Sequence, residues 1–184
     1  MRVRLTRSAM PAELTAALQP GEQVLAAVPA AGQVLAVSRF GLWIVEDGGA
    51  ARIDWHLVSK ARLAEGELQI TVADEIARWP DGTVLLRDRA PRTLHPERMN
   101  RLTDVVHQRV RASVAASRHL AWSGAGGWVV LRRVAGRDGL TTQLRLDPGA
   151  DPTAAGFADA VAAVVDMLWP PAVPRPGAAD GWEA

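Results

Sequence analysis

The chain has 184 residues, of which 48% are hydrophobic, so it is long and apolar enough to bury the core of one ordinary domain. No segment approaches the roughly 20 consecutive apolar residues of a membrane-spanning helix, and residues 1–7 are basic without the apolar run of a secretory signal. Cysteine is absent, which excludes disulfides and thiolate chemistry. We therefore expect a cytoplasmic protein without a transmembrane segment.

The net charge of +1 conceals an uneven distribution along the chain. Residues 87–137 carry 11 basic and 3 acidic side chains, whereas residues 1–86 carry 8 and 10, and residues 138–184 carry 2 and 7. A basic middle can attract an anionic partner. The alternative is that this middle packs near the acidic end of the same chain.

The first half of the sequence predicts a short helix followed by a β-meander. Residues 8–19 have a helical pattern that Pro20-Gly21 ends. Short apolar runs separated by turn residues then predict successive strands. These runs are residues 22–28, 33–37, 42–45, 51–55, 56–63, 68–72, 76–79 and 83–86. Such a meander needs a second layer to bury its apolar face.

Residues 96–118 predict the longest helix of the chain. At 100° per residue, five apolar side chains share one stripe and a set of polar side chains lies opposite. The stripe is Met99, Leu102, Val106, Val110 and Val114, and the polar side includes Arg101, Gln108, Arg111 and Arg118. We expect this helix to cover the apolar face of the strands before it.

The last third predicts a flexible joint, a hairpin and a helix. Residues 123–127 are rich in glycine, and two strands follow at residues 128–134 and 140–146. Gln143 and Arg145 alternate with leucines, which predicts that one face of this hairpin is exposed to water. A helix over residues 153–169 follows, and the tail after it is expected to be disordered.

The strand pattern resembles the bacterial pleckstrin-homology-like (PH-like) domains found in actinobacterial proteins. The residues that carry the resemblance are 21–25, 34–38 leading into 41–44, and 52–58, while residues 114–120 resemble the end of the closing helix in those proteins. The resemblance implies an α+β fold in which a small β-barrel or meander is capped by a long amphipathic helix. To this the chain adds a C-terminal β-hairpin and helix.

The predicted organisation has five parts. They are an N-terminal helical arm (residues 1–20), a PH-like domain (21–120), a Gly-rich joint (121–127), a β-hairpin plus helix (128–170) and a disordered tail (171–184). The predicted PH-like part already has two layers, strands and a helix. We therefore expect residues 1–121 to fold without the remainder.

No motif indicates catalysis, a metal or another cofactor, and we predict none of these. The four histidines, His56, His95, His107 and His119, lack the spacing that places two ligands on one helix face. Two weaker candidate sites remain. Arg101, Arg111 and Arg118 are possible anion contacts, and Trp79 and Trp128, which lie near turns, are possible partner contacts.

The resemblance implies a scaffold that presents a binding surface to a peptide, a lipid headgroup or another domain. Lipid recognition by PH-like folds generally uses basic residues between the first two strands, and here residues 29–32 are uncharged, which disfavours phosphoinositide binding. We predict a non-catalytic module that binds an unidentified protein partner. The alternative is weak binding of nucleic acid or an anionic surface through the arginines of residues 87–137, against which stands the lack of interleaved Phe or Tyr for base stacking. A third possibility is an enzyme of unrecognised type.

Overall fold

The computed structural model describes residues 10–97 and 101–175, which form an α+β fold. The first four strands form an antiparallel sheet in the order β1-β2-β3-β4. They are β1 (Val24–Ala30), β2 (Gln33–Ser38), β3 (Gly41–Glu46) and β4 (Gly49–Asp54). The predicted meander is confirmed here. One face of this sheet lies in the main core, and the other is covered by the short helix α1 (Ala12–Ala17), whose Leu14 is fully buried.

The remaining strands form one second sheet in the order β5-β6-β7-β11-β10-β9, with the short strand β8 paired to β6. They are β5 (Val58–Ala64), β6 (Glu67–Arg78), β7 (Val84–Asp88), β8 (Arg92–Leu94), β9 (Val114–Leu120), β10 (Gly127–Arg132) and β11 (Thr141–Leu146). A 3₁₀ turn, Trp55–Leu57, leads from the first sheet into β5. β11 runs parallel to β7 and joins the C-terminal strands to the earlier ones.

The second helix, α2 (Arg101–Ser113), lies over the core between the sheets, where Leu102 and Val106 are fully buried. The prediction that the helix continues to residue 118 is wrong, because residues 114–120 form β9 and pair with β10. At the change of structure, the Ser113 hydroxyl donates to the Val110 carbonyl, and the Ser113 carbonyl accepts the N–H of Arg133. Pairing with a neighbouring strand therefore overrides local helix propensity.

Residues 1–9 of the predicted helical arm and residues 176–184 of the predicted tail lie outside the described part. Within the described part the short helix is present as α1, which packs on the first sheet. In the predicted tail, residues 171–175 make defined contacts, since the Trp169 indole donates to the Val173 carbonyl and Arg175 pairs with Asp166. The third helix, α3 (Phe157–Leu168), begins four residues later than expected and packs on β10 and β11.

The predicted joint at residues 121–127 is instead the connection of a tight β-hairpin. β9 and β10 pair directly on either side of it, from Gly127 opposite Leu120 onwards. Gly126 is buried, its N–H donates to the Asp147 carboxylate, and its carbonyl accepts the N–H of Asp147. The predicted boundary before residue 128 therefore lies inside a sheet, because β10 and β11 continue the sheet of β7 and β9.

Replacing Gly126 by alanine is expected to destabilise the fold strongly. A Cβ atom on Gly126 would lie 1.8 Å from the backbone carbonyl oxygen of Leu120, closer than any real contact, so the hairpin would have to move. We expect Gly126→Ala to lower the free energy of unfolding by about 3 kcal/mol. Thermal unfolding followed by circular dichroism should show a Tm lower by about 10 °C.

Gly124 provides the matched control for this substitution. It lies in the same connection with φ +88° and open space around its Cα, so Gly124→Ala costs only backbone strain, about 1 kcal/mol. A flexible joint would tolerate both changes. Near-native stability of Gly126→Ala would therefore contradict the tight hairpin.

Candidate functional site

The three arginines predicted as an anion site are not brought together. Arg101 and Arg111 are exposed on α2 and ten residues apart, which places them about 15 Å apart along the helix axis. Arg118 lies on β9, where its guanidinium contacts the Met167 sulfur at 3.8 Å. The predicted shared face required a helix up to residue 118, and that helix ends at Ser113.

The two tryptophans predicted as partner contacts have different environments. Trp79 is half-buried and packs edge-on against Phe157, with ring centroids 6.4 Å apart, so it belongs to the core beneath α3. Trp128 is 47% exposed on β10 and packs against the His119 ring, with ring centroids 5.3 Å apart. Trp128 alone of the two offers a large accessible aromatic surface.

The basic middle of the chain pairs with its first half rather than with its acidic end. Arg89 binds Asp74, and Arg92 binds Glu46 at 2.7 Å. Two of the described ion pairs link residues 87–137 to residues 138–184, His119 with Asp147 and Asp88 with Arg145. Only the first of them joins a basic side chain of the middle to an acid of the C-terminal part. The positive charge of this segment is therefore not cancelled by the C-terminal acids.

A cavity of about 550 Å³ lies on one face of the second sheet. Residues from β5 and β9, the two ends of the strand order, both line it, so the sheet curls around the cavity. Its charged lining residues within the described chain are Lys60, Arg87, Asp88, Arg132, Arg145 and Asp147. Its walls also include Trp128, the aliphatic side chains of Val114, Val130 and Leu146, and the hydroxyls of Ser59 and Ser117. This volume suits a small ligand or one side chain with its neighbours.

Arg132 is a buried cation on the cavity wall that pairs with no carboxylate in the described part of the chain. It is 2% exposed, and its guanidinium donates to the Ser113 hydroxyl and, at 3.1 Å, to the Val58 carbonyl. Burial and the nearby positive charge of Arg145 lower the pKa of Arg132 to about 10, although Asp88 opposes the shift. At neutral pH the guanidinium is therefore still charged, and the groups that it binds directly are a neutral hydroxyl and a neutral carbonyl.

Arg145 lies on the neighbouring strand and is 8% exposed. It donates to Asp88 at 3.0 Å and to the His56 carbonyl at 3.3 Å. Burial lowers the pKa of Arg145, and the ion pair with Asp88 opposes that shift. The pKa of His56 is lowered by burial and by the charges of Arg132 and Arg145, despite Asp54 nearby. The region around both arginines is therefore electropositive.

The lining can hold an anion. It has four cationic and two carboxylate side chains among the described residues, so its formal net charge is two positive. The Nε–H groups of Arg132 and Arg145 are both buried without a hydrogen-bond partner in the described structure. Buried charge without compensation is costly, and an incoming oxyanion would reduce that cost while accepting hydrogen bonds.

Reasoning from the sequence missed this pair because Arg145 was predicted to face water. In the structure the 3₁₀ turn crosses that face, and Gln143 and Arg145 both bind the His56 carbonyl. One signal was present in the sequence. β10 is apolar on both faces over residues 129–131, as in a strand buried on both sides, and Arg132 directly extends that run.

In the part of the chain that the structure describes, no helix is both long and apolar enough to cross a membrane. Comparison with models of known protein families, with curated proteins and with solved structures finds no match to this chain.

Proposed function

We propose that this chain is a non-catalytic binding module that holds an acidic group of a protein partner in the cavity beside Arg132 and Arg145. The observation that carries the proposal is Arg132, a residue only 2% exposed that lines the cavity and whose guanidinium lacks a carboxylate partner among the described residues. A partner carboxylate or other oxyanion would supply the missing charge.

The order of the elements supports a PH-like scaffold for this module. Four antiparallel strands form one sheet, β5, β6 and β7 begin a second, and α2 then lies across the core between them. In this proposal β9, β10, β11 and α3 extend the second sheet beyond β7 and create the cavity. The binding site would then lie away from the β1–β2 connection, where the described residues Ala31 and Gly32 carry no charge.

The rim of the cavity supports a protein partner. Lys60 and Arg87 are exposed there and would attract an acidic segment over several ångströms. Trp128 adds an accessible aromatic surface, a residue type enriched at protein–protein interfaces. An acidic peptide with one apolar side chain beside its acidic group would contact both features.

The proposal is tested by selecting random linear peptides on the full chain and measuring the enriched peptides by fluorescence anisotropy. We expect acidic peptides with a Kd of about 10 μM or below. The double variant Lys60→Glu/Arg87→Glu should lower the affinity for these peptides at least about tenfold, because both rim cations are replaced by anions that repel them. Arg101→Glu/Arg111→Glu is the matched control, since it makes the same change in net charge outside the cavity.

Two results would count against this function. One is the absence of any enriched peptide. The other is a set of peptides that lose affinity in Arg101→Glu/Arg111→Glu but not in Lys60→Glu/Arg87→Glu, which would assign anion binding to α2. Labelled oligonucleotides in the same assay test the nucleic-acid alternative, and tighter binding of these than of any peptide would favour it.

A further inference from the structure

The carboxylates of the cavity are already occupied, which leaves its positive charge available to a ligand. Asp88 accepts from Arg145 with one oxygen and from the Ser59 hydroxyl with the other, at 3.0 Å each. Asp147 binds His119 at 2.7 Å and accepts the Gly126 N–H at 3.3 Å. Neither carboxylate binds Arg132, and the lining keeps a formal excess of two positive charges among the described residues.

Both arginines have N–H groups that make no hydrogen bond within the described structure. A guanidinium has five N–H groups, and on each arginine the two terminal nitrogens make one hydrogen bond apiece to protein groups. The Nε–H groups of both are buried and unpartnered, so the second N–H of each terminal nitrogen is what a ligand in the cavity would contact. Guanidinium groups favour oxyanions whose several oxygens accept from more than one donor. A ligand that accepts hydrogen bonds from both arginines therefore needs at least two acceptor oxygens on one anionic centre.

We infer that the group held in this cavity is a phosphomonoester. A phosphomonoester carries a charge of about −1.5 to −2 at pH 7 and three acceptor oxygens, whereas a carboxylate carries one charge and two oxygens. The excess of two positive charges and the N–H groups that the terminal nitrogens of both arginines have left over match the phosphomonoester. The inference rests on the proposed function for the identity of the carrier, which is either a phosphorylated side chain of the partner or a free phosphate ester.

The test compares phenyl phosphate with phenyl sulfate, two tetrahedral oxyanions of the same shape that differ by one charge. The phenyl ring gives both probes an aromatic body that can contact Trp128. Binding to the full chain is measured by calorimetry and by the arginine Nε–H resonances in nitrogen-15 NMR spectra. We expect phenyl phosphate to bind at least about tenfold more tightly than phenyl sulfate, and to shift two arginine Nε–H resonances.

Variants at the rim keep the test independent of folding. Arg132→Gln removes the central cation but also removes contacts to Val58 and Ser113, so it is interpreted only if its NMR spectrum remains dispersed. The double variant Lys60→Gln/Arg87→Gln changes two exposed side chains and should lower the affinity for phenyl phosphate about tenfold. Arg101→Gln/Arg111→Gln, with the same change in net charge, should leave its affinity unchanged.

Equal affinity for phenyl phosphate and phenyl sulfate, or unshifted arginine Nε–H resonances, would overturn the inference. If acidic peptides still depend on Lys60 and Arg87 in that case, the proposed function stands and only the phosphomonoester is wrong. If phenyl phosphate binds and no peptide is ever selected, the phosphomonoester inference stands and the proposed protein partner is wrong. Tighter binding of N-acetyl-phosphoserine amide than of glycerol phosphate would assign the phosphate to a partner side chain, and the reverse order to a free ester.

Discussion

Ending the chain after Ala121 is expected to abolish folding. The deletion removes β10 and β11, which pair with β9 and β7, and it removes α3, which covers the buried Leu85. It also removes Arg132 and Arg145, whose guanidiniums bind the carbonyls of Val58 and His56. We expect residues 1–121 to be insoluble or to give a poorly dispersed nitrogen-15 NMR spectrum without cooperative thermal unfolding.

A chain that ends after Arg175 is the control for this deletion, because it keeps every described element. It should give a dispersed spectrum and a Tm close to that of the full chain. The strand pattern alone predicts that residues 1–121 are self-sufficient. A dispersed spectrum and a cooperative transition for that fragment would support that prediction and contradict the expectation drawn from the sheet order.

Val106→Asp is expected to destabilise the fold more than a substitution at any exposed position of α2. Val106 is fully buried in the core beneath α2, beside Leu102 and against the strands of both sheets. An aspartate there would bury a carboxylate among the apolar residues of the described core, with none of them able to pair with it, which costs several kcal/mol. We expect the free energy of unfolding to fall by about 4 kcal/mol, measured by urea denaturation at neutral pH.

Two positions on the same helix calibrate this effect. Val110 is only partly buried at the edge of the core, so Val110→Asp should cost less than Val106→Asp. Gln108 is exposed, and Gln108→Asp should stay within about 0.5 kcal/mol of the parent. Equal losses at all three positions would point to reduced helix propensity, and no loss at Val106 would remove α2 from the core.

In the proposed function, the buried arginines would add a binding role to a structural one. Their terminal nitrogens hold the 3₁₀ turn, the start of β5 and the end of α2 against β10 and β11. A hydrophobic pair of similar volume could replace such buried ions without loss of stability in many proteins. Packing alone therefore does not require a cationic pair beside the cavity, and for this reason the ligand experiments measure affinity and arginine resonances rather than stability.

Local sequence determined the first sheet. Residues 33–54 alternate or run apolar between short turns, and β2, β3 and β4 form where that pattern predicts them. A hairpin is a local structure, so its strands and its turn are encoded within about 15 residues. The same holds for the core stripe of α2, since Leu102 and Val106 repeat at the helical period and are both fully buried.

Only the tertiary structure decided that residues 114–120 form a strand and that Arg145 is buried. The predicted helix and its apolar stripe extend past Ser113 to Val114, yet residues 114–120 form a strand because β10 supplies partners for their backbone. Arg145 has the alternation of an exposed residue, but the 3₁₀ turn, about 90 residues earlier, covers that face. Both outcomes depend on which distant segment lies alongside, and the parallel pairing of β11 with β7 sets that arrangement. Local periodicity gives the two faces of an element, whereas the cavity between Arg132 and Arg145 exists only once the sheet is assembled and curled.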